Sequence, residues 1–156
     1  MDDPERTPAG DAFAEFAISV LRLAGPLTVA GDALSKPSGQ TSARWQVLAA
    51  ANHGPMSVAD AARALGLARQ GVQRIADLLA EEGLIGYEDN PVHQRAKLMV
   101  LTGQGSRILH DIKQRQAVWA DSFGEELGEE RLRQASALIA EAIAILKPTA
   151  RASGET

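Results

Sequence analysis

Between Ser57 and Gly83 apolar and polar residues fall on a helical period twice in succession, in the run SVADAARALGLARQGVQRIADLLAEEG. Ser57 followed by Asp60 predicts a capped helix start with an acid in the first turn. Ala61, Ala62 and Leu65 give this first helix a small apolar face, and Gly66 ends it, since glycine enters the left-handed region without a Cβ penalty. A second helix is predicted from about Ala68 to Glu82. Its residues Val72, Ile75, Ala76 and Leu79 stand at i, i+3, i+4 and i+7 and form one buried stripe. The opposite face carries Arg69, Gln70, Gln73 and Arg74 near the helix start.

Two helices joined by a short glycine turn, with Arg and Gln displayed early on the second, describe a helix-turn-helix. Arginine can fork onto the acceptors of guanine, and glutamine can pair bidentately with adenine. After Gly83 the period changes. Leu84 to Glu88 and Ala96 to Leu101 read as two strands around a polar tip, Asp89 to Arg95, which makes a wing. His93, Gln94, Arg95 and Lys97 are its candidate DNA contacts.

Upstream, Phe13, Phe16, Ala17, Val20, Leu21, Ala24 and Leu27 keep helical spacing, with a kink or break expected at Gly25-Pro26. Residues Ser35 to Gln40 read as a loop, and Thr41 or Ser42 caps a helix through Ala51 that buries Trp45 and Leu48. Downstream, Thr102 caps a helix from about Gly103 to Phe123, and Gly124 to Glu130 reads as an acidic break. A last helix from about Glu129 to Leu146 is expected to stop at Pro148.

The pattern predicts a mainly α chain with a small β-hairpin, an α+β winged helix-turn-helix over residues 41–102. Residues 11–40 and 103–147 form helical dimerisation regions, and residues 1–10 and 148–156 are expected to be disordered. The first and last helices carry more apolar stripe than so small a module can cover, so a homodimer is expected. A twofold dimer sets two recognition helices about 34 Å apart and reads a palindrome.

Composition narrows the function classes. The 156 residues have no cysteine, which excludes disulfides, thiolate metal sites and cysteine redox sensing. The net charge of −4 is unusual for a nucleic-acid binder. Charge is uneven, though: Arg63, Arg69 and Arg74 face one acid, Asp60, between Ser57 and Ile75. Surface charges beyond about 10 Å are screened, so the local sign governs a groove contact. The polar lead MDDPERTPAG is not a secretory signal, and no apolar run nears the ~20 residues of a bilayer span. A cytoplasmic protein without a membrane partner is expected.

In order and spacing, VADAARALGLARQGVQRIADLL, EEGLIGYEDNP, Arg95 and KLMVLTGQG resemble the MarR family of bacterial transcription regulators over about Phe13 to Leu146. The resemblance implies a homodimer with one winged helix-turn-helix per subunit, acting as a repressor and released by a small aromatic or anionic ligand. It places Arg69, Gln70, Gln73 and Arg74 on the major-groove face and Arg95 in the minor groove. It also places Arg44, Trp45 and His53 where the family's ligand crevice is lined. The family wing often reads Asp-Pro-x-Asp-Arg-Arg; here Asn90-Pro91-Val92-His93-Gln94-Arg95 lacks both acids and one arginine.

Other classes fit less well. His53, His93 and His110 are scattered, and no metalloprotease motif, phosphate loop or nucleophile elbow occurs, so no catalysis and no cofactor are expected. Adjacent His110 and Asp111 do not share a helix face, so no metal site is expected there. The alternative is a winged-helix module that binds a protein partner without specific DNA binding.

Overall fold

The computed structural model describes residues 5–152, with side chains described through residue 147. In chain order the elements are α1 (Pro8–Ser35), a 3-10 turn (Lys36–Ser38), α2 (Ser42–Asn52), β1 (Met56–Ser57), α3 (Val58–Leu65), α4 (Arg69–Glu81), β2 (Ile85–Glu88), β3 (Leu98–Leu101), α5 (Gly103–Leu127) and α6 (Glu129–Ala152). The chain is mainly helical with a small antiparallel sheet, as the pattern predicts.

Of the described residues, those up to Lys113 form one compact unit and those from Gln114 onward a second. The core of the first is built by α2, α3 and α4. Val47, Leu48, Ala61, Val72, Ala76 and Leu79 are buried there, with Met99 of β3 and Leu109 of α5. Alanines at the α3 positions let the helices approach closely. Ser57 caps α3 as expected: its hydroxyl accepts from the Asp60 amide (3.1 Å) and donates to the Asp60 carboxylate (2.8 Å). Gly66 takes φ +67 and turns the chain into α4.

The sheet runs β1-β3-β2, with β3 in the middle. β2 pairs β3 with Tyr87 opposite Met99, and β1 pairs its other edge through Met56 opposite Met99. The two-residue β1 escaped the sequence reading because it is shorter than any period. Thr102 ties the wing to α5. Its hydroxyl donates toward the Gly83 and Leu84 carbonyls (2.7 and 3.0 Å) and accepts from the Gly105 amide (3.0 Å).

The long helices correct several expectations. α1 starts at Pro8, not Asp11, because Thr7 caps it through the Gly10 amide. Pro26 sits inside α1, which runs unbroken to Ser35. α5 continues through Gly124, and the turn falls at Gly128 with φ +92. α6 passes Pro148 and reaches Ala152. Residues 8–10 and 148–152, expected to be disordered, are therefore helical. Residues 1–4 and 153–156 of those expected tails lie outside the described residues.

The expectation that nothing approaches a membrane span is also corrected. Pro8–Ser38 is long and apolar enough by length and composition, with mean hydropathy 1.4 over its best 18-residue window. Its isolated polar residues break every apolar run but lower the helical average little. α1 leaves Phe13, Ile18, Leu21, Leu27 and Val29 exposed. The second unit leaves Val118, Phe123, Leu138, Ile143 and Ile145 exposed.

Gly105 is required where α5 leaves the wing. A Cβ there would collide with the Leu84 carbonyl, while one on Gly71 of α4 would meet open space. Gly105→Ala is expected to lower unfolding stability by about 1–3 kcal/mol through overpacking. Gly71→Ala is expected to raise it by about 0.5–1 kcal/mol through helix propensity. Urea midpoints of the two variants against the unchanged chain check both signs.

Candidate nucleic-acid interface

Burial of Val72, Ala76 and Leu79 decides what α4 offers outward. Three residues of its expected reading face, Arg69, Gln70 and Arg74, are exposed at the helix start, and Gln73 is half-buried. Arg69 and Arg74 make no ion pair or side-chain hydrogen bond among the described residues, so their donors are available. The α4 start has no side-chain cap, which leaves its first amides open as well.

The wing brings a second basic group to the same place. Arg69 and Gln73 of α4 line an open cleft of about 300 Å³ together with Arg95 and Lys97 of the wing, Asp77, Tyr87 and the start of α3. Arg95 is exposed. Lys97 pairs loosely with Asp89 where the tip loop leaves the strands (3.6 Å). His93 and Gln94 are exposed at the tip, where the Asn90 side chain accepts from the Val92 and His93 amides (3.0 and 3.3 Å) and shapes the turn. The shape of the tip is thus held by an asparagine.

Gln73 is less free than its sequence position implies. Its amide nitrogen donates to the Asp77 carboxylate (2.9 Å) and to the Tyr87 hydroxyl (3.3 Å), and that hydroxyl donates to the same Asp77 oxygen (2.8 Å). Asp77 and Tyr87 escaped the sequence reading. The Gln73–Asp77 half was visible there as an i, i+4 pair. Tyr87 was not, because only the fold brings β2 against α4.

Arg44, half-buried, is joined to Glu82 beyond α4 at 2.6 Å. Trp45 packs on the core, and His53 is exposed at the end of α2. None of the three lines the cleft between α4 and the wing. Among the described residues no three His, Asp or Glu side chains meet as a metal site would require.

Asp60 is held below the usual carboxylate range, first by the Ser57 hydroxyl and then by Arg63, with His93 of the wing adding a smaller pull. Tyr87 is pushed up to about 12, first by burial and then by the hydrogen bond to Asp77 and its charge.

Residues 38–96 match the sequence model of the MarR family. An uncharacterised protein of Mycobacterium tuberculosis, Rv2011c, is 41% identical over 108 residues, 69% of this chain and 76% of that protein. The fold resembles AbsC, a MarR family transcriptional regulator from Streptomyces coelicolor, with TM-score 0.74 at 18% identity, over 94% of this chain and 99% of AbsC. It also resembles CouR from Rhodococcus jostii RHA1 bound to p-coumaroyl-CoA, with TM-score 0.72 at 22% identity, over 80% of this chain and 88% of CouR.

Tyr87 is the one tyrosine of the chain, so its ionisation is readable directly by ultraviolet absorbance. The transition is expected near 12, and in Asp77→Ala it should fall toward the ordinary 10.0. The native state holds this proton more tightly than the unfolded chain, so its contribution to stability is complete below 10.0 and is lost as pH rises to about 12. An ordinary titration in the unchanged chain would dissolve the contact with Asp77.

Proposed function

This chain belongs to the MarR family of transcription regulators, and on that footing we propose that it works as a homodimer that binds a palindromic operator, represses there and is released by a small aromatic or anionic ligand. The observation carrying the DNA contact is the shared cleft, where Arg69 of α4 meets Arg95 and Lys97 of the wing. Arg69, Gln70, Gln73 and Arg74 face the major groove, and His93, Gln94, Arg95 and Lys97 follow the flanking backbone and minor groove. Phosphate attraction acts through this cationic edge, while the net charge of −4 limits binding elsewhere on the surface.

The dimer is supported by the apolar residues that each unit leaves open, among them Leu21 at 74% and Ile145 at 73% exposure. A second copy would cover them, and the family's soluble DNA-binding character favours protein over lipid as the cover. The protein is accordingly cytoplasmic. Release by a ligand is supported by CouR, seen with p-coumaroyl-CoA. Arg44, Trp45 and His53 would line such a site only if Arg44 exchanged Glu82 for the ligand's anion.

A second reading, a winged module that docks a protein, draws on the acidic total and on Val92, 77% exposed at the wing tip. Salt separates the two. A randomised duplex library offered to the full chain should be retained at about 50 mM salt and lost steeply by about 200 mM. Retention of no duplex at low salt, with salt-insensitive capture of a protein, would favour the second reading.

On a selected duplex, Arg69→Ala and Arg74→Ala are each expected to cost about 1–3 kcal/mol, and unchanged affinity in both would remove α4 from the contact. By sedimentation, Leu21→Glu combined with Ile145→Glu should turn a dimer into monomers. A monomeric unchanged chain at micromolar concentration would defeat the dimer.

A further inference from the structure

We propose that Asp77 and Tyr87 lock the Gln73 amide in one orientation, so that Gln73 meets a base edge with its carbonyl oxygen alone and selects an amino base, adenine or cytosine, over a keto base at one position of each half-site. The inference rests on the DNA-binding reading and narrows it to a chemical choice.

The orientation follows from which groups can donate. An ionised carboxylate only accepts, so the Gln73 group 2.9 Å from Asp77 Oδ1 is its NH2 and not its carbonyl. A flipped amide would set oxygen against oxygen. Tyr87 donates its hydroxyl hydrogen to the same Oδ1 at 2.8 Å, so toward Gln73 it can only accept, at 3.3 Å. It keeps that hydrogen throughout the neutral range, since its ionisation is pushed up to about 12. The Gln73 NH2 is therefore turned toward Asp77 and Tyr87. Its carbonyl oxygen is the polar group left over, on a side chain that lines the cleft together with Arg69 and Arg95.

An unrestrained glutamine pairs with adenine twice, donating to N7 and accepting from N6. The locked side chain spends its NH2 on Asp77 and Tyr87 and presents its carbonyl oxygen. In the major groove adenine N6 and cytosine N4 offer hydrogens, whereas guanine O6 and thymine O4 offer only lone pairs. The lock therefore admits either amino base and rejects the keto bases. It also holds the reading helix to the wing, since Gln73 and Asp77 stand one turn apart on α4 while Tyr87 belongs to β2.

The test offers the full chain a duplex library with a randomised centre at low salt and sequences the retained fraction. The unchanged chain is compared with Gln73→Ala, Tyr87→Phe, Asp77→Ala and the Tyr87→Phe/Asp77→Ala pair. Tyr87→Phe keeps the ring and Asp77 is exposed, so these variants should stay folded, with thermal melting as the check. The position whose preference vanishes in Gln73→Ala is the one Gln73 reads. There the unchanged chain should favour adenine or cytosine roughly fivefold over guanine or thymine. In the double variant the freed Gln73 can donate as well as accept, so cytosine should lose its place there and adenine keep it, while every other position keeps its own preference, which general loosening of the fold would not produce. The inference is overturned if Gln73→Ala leaves all preferences intact, if the position it controls favours a keto base, or if the double variant accepts cytosine there as well as the unchanged chain does. A chain that retains no duplex at all overturns the DNA-binding reading beneath it, an outcome distinct from selective binding that ignores Gln73.

Discussion

Burial of one apolar stripe on a 13-residue helix governs this molecule. Val72, Ala76 and Leu79 are withdrawn almost wholly from solvent against α2 and α3. Each such side chain contributes on the order of 1–3 kcal/mol by leaving water, so rotating α4 about its axis would forfeit most of the small core. With the rotation settled, Arg69, Gln70 and Arg74 have only the outside to face. Gly66 sets the angle at which α4 leaves α3, and the alanines of α3 make the approach close enough for the stripe to be covered.

The wing depends on the same packing. β3 sits between β1 and β2, so the ribbon is anchored on both edges near the start of α3 and the end of α4. Thr102 and Gly105 hold the other end to the Gly83–Leu84 backbone. The ribbon is thereby oriented as a lever with a fixed root, and Arg95 and Lys97 are brought beside Arg69. The altered tip, with His93 and Gln94 in place of an acid and a second arginine, changes the charge carried by that lever but not its attachment.

The electrostatics are local. An acidic chain carries a cationic edge made of side chains more than twenty residues apart in sequence, Arg69 and Arg95 among them. Coulomb attraction between exposed groups fades over about one Debye length, so this edge acts on what lies against it. The same chain leaves long apolar faces open on α1 and α6. Solvated faces of that size are costly, and association is the ordinary way to remove them from water.

The local elements were legible in the sequence. Helical spacing located α3 and α4, the Ser57 cap and the Gly66 turn marked their limits, and the switch to strand composition after Gly83 located the wing. These features depend on neighbours within a turn or two, which the sequence lists in order. Proline and glycine misled where tertiary or helical context outweighed local preference: Pro26 and Gly124 lie within unbroken helices. What the tertiary structure alone decided was which side chains are free. Arg69 and Arg74 remain open, Arg44 is held by Glu82, and Gln73 is held by a tyrosine fourteen residues away. A hydrogen bond needs its partners within about 3 Å. No periodicity in a chain states which distant residues the fold will bring that close.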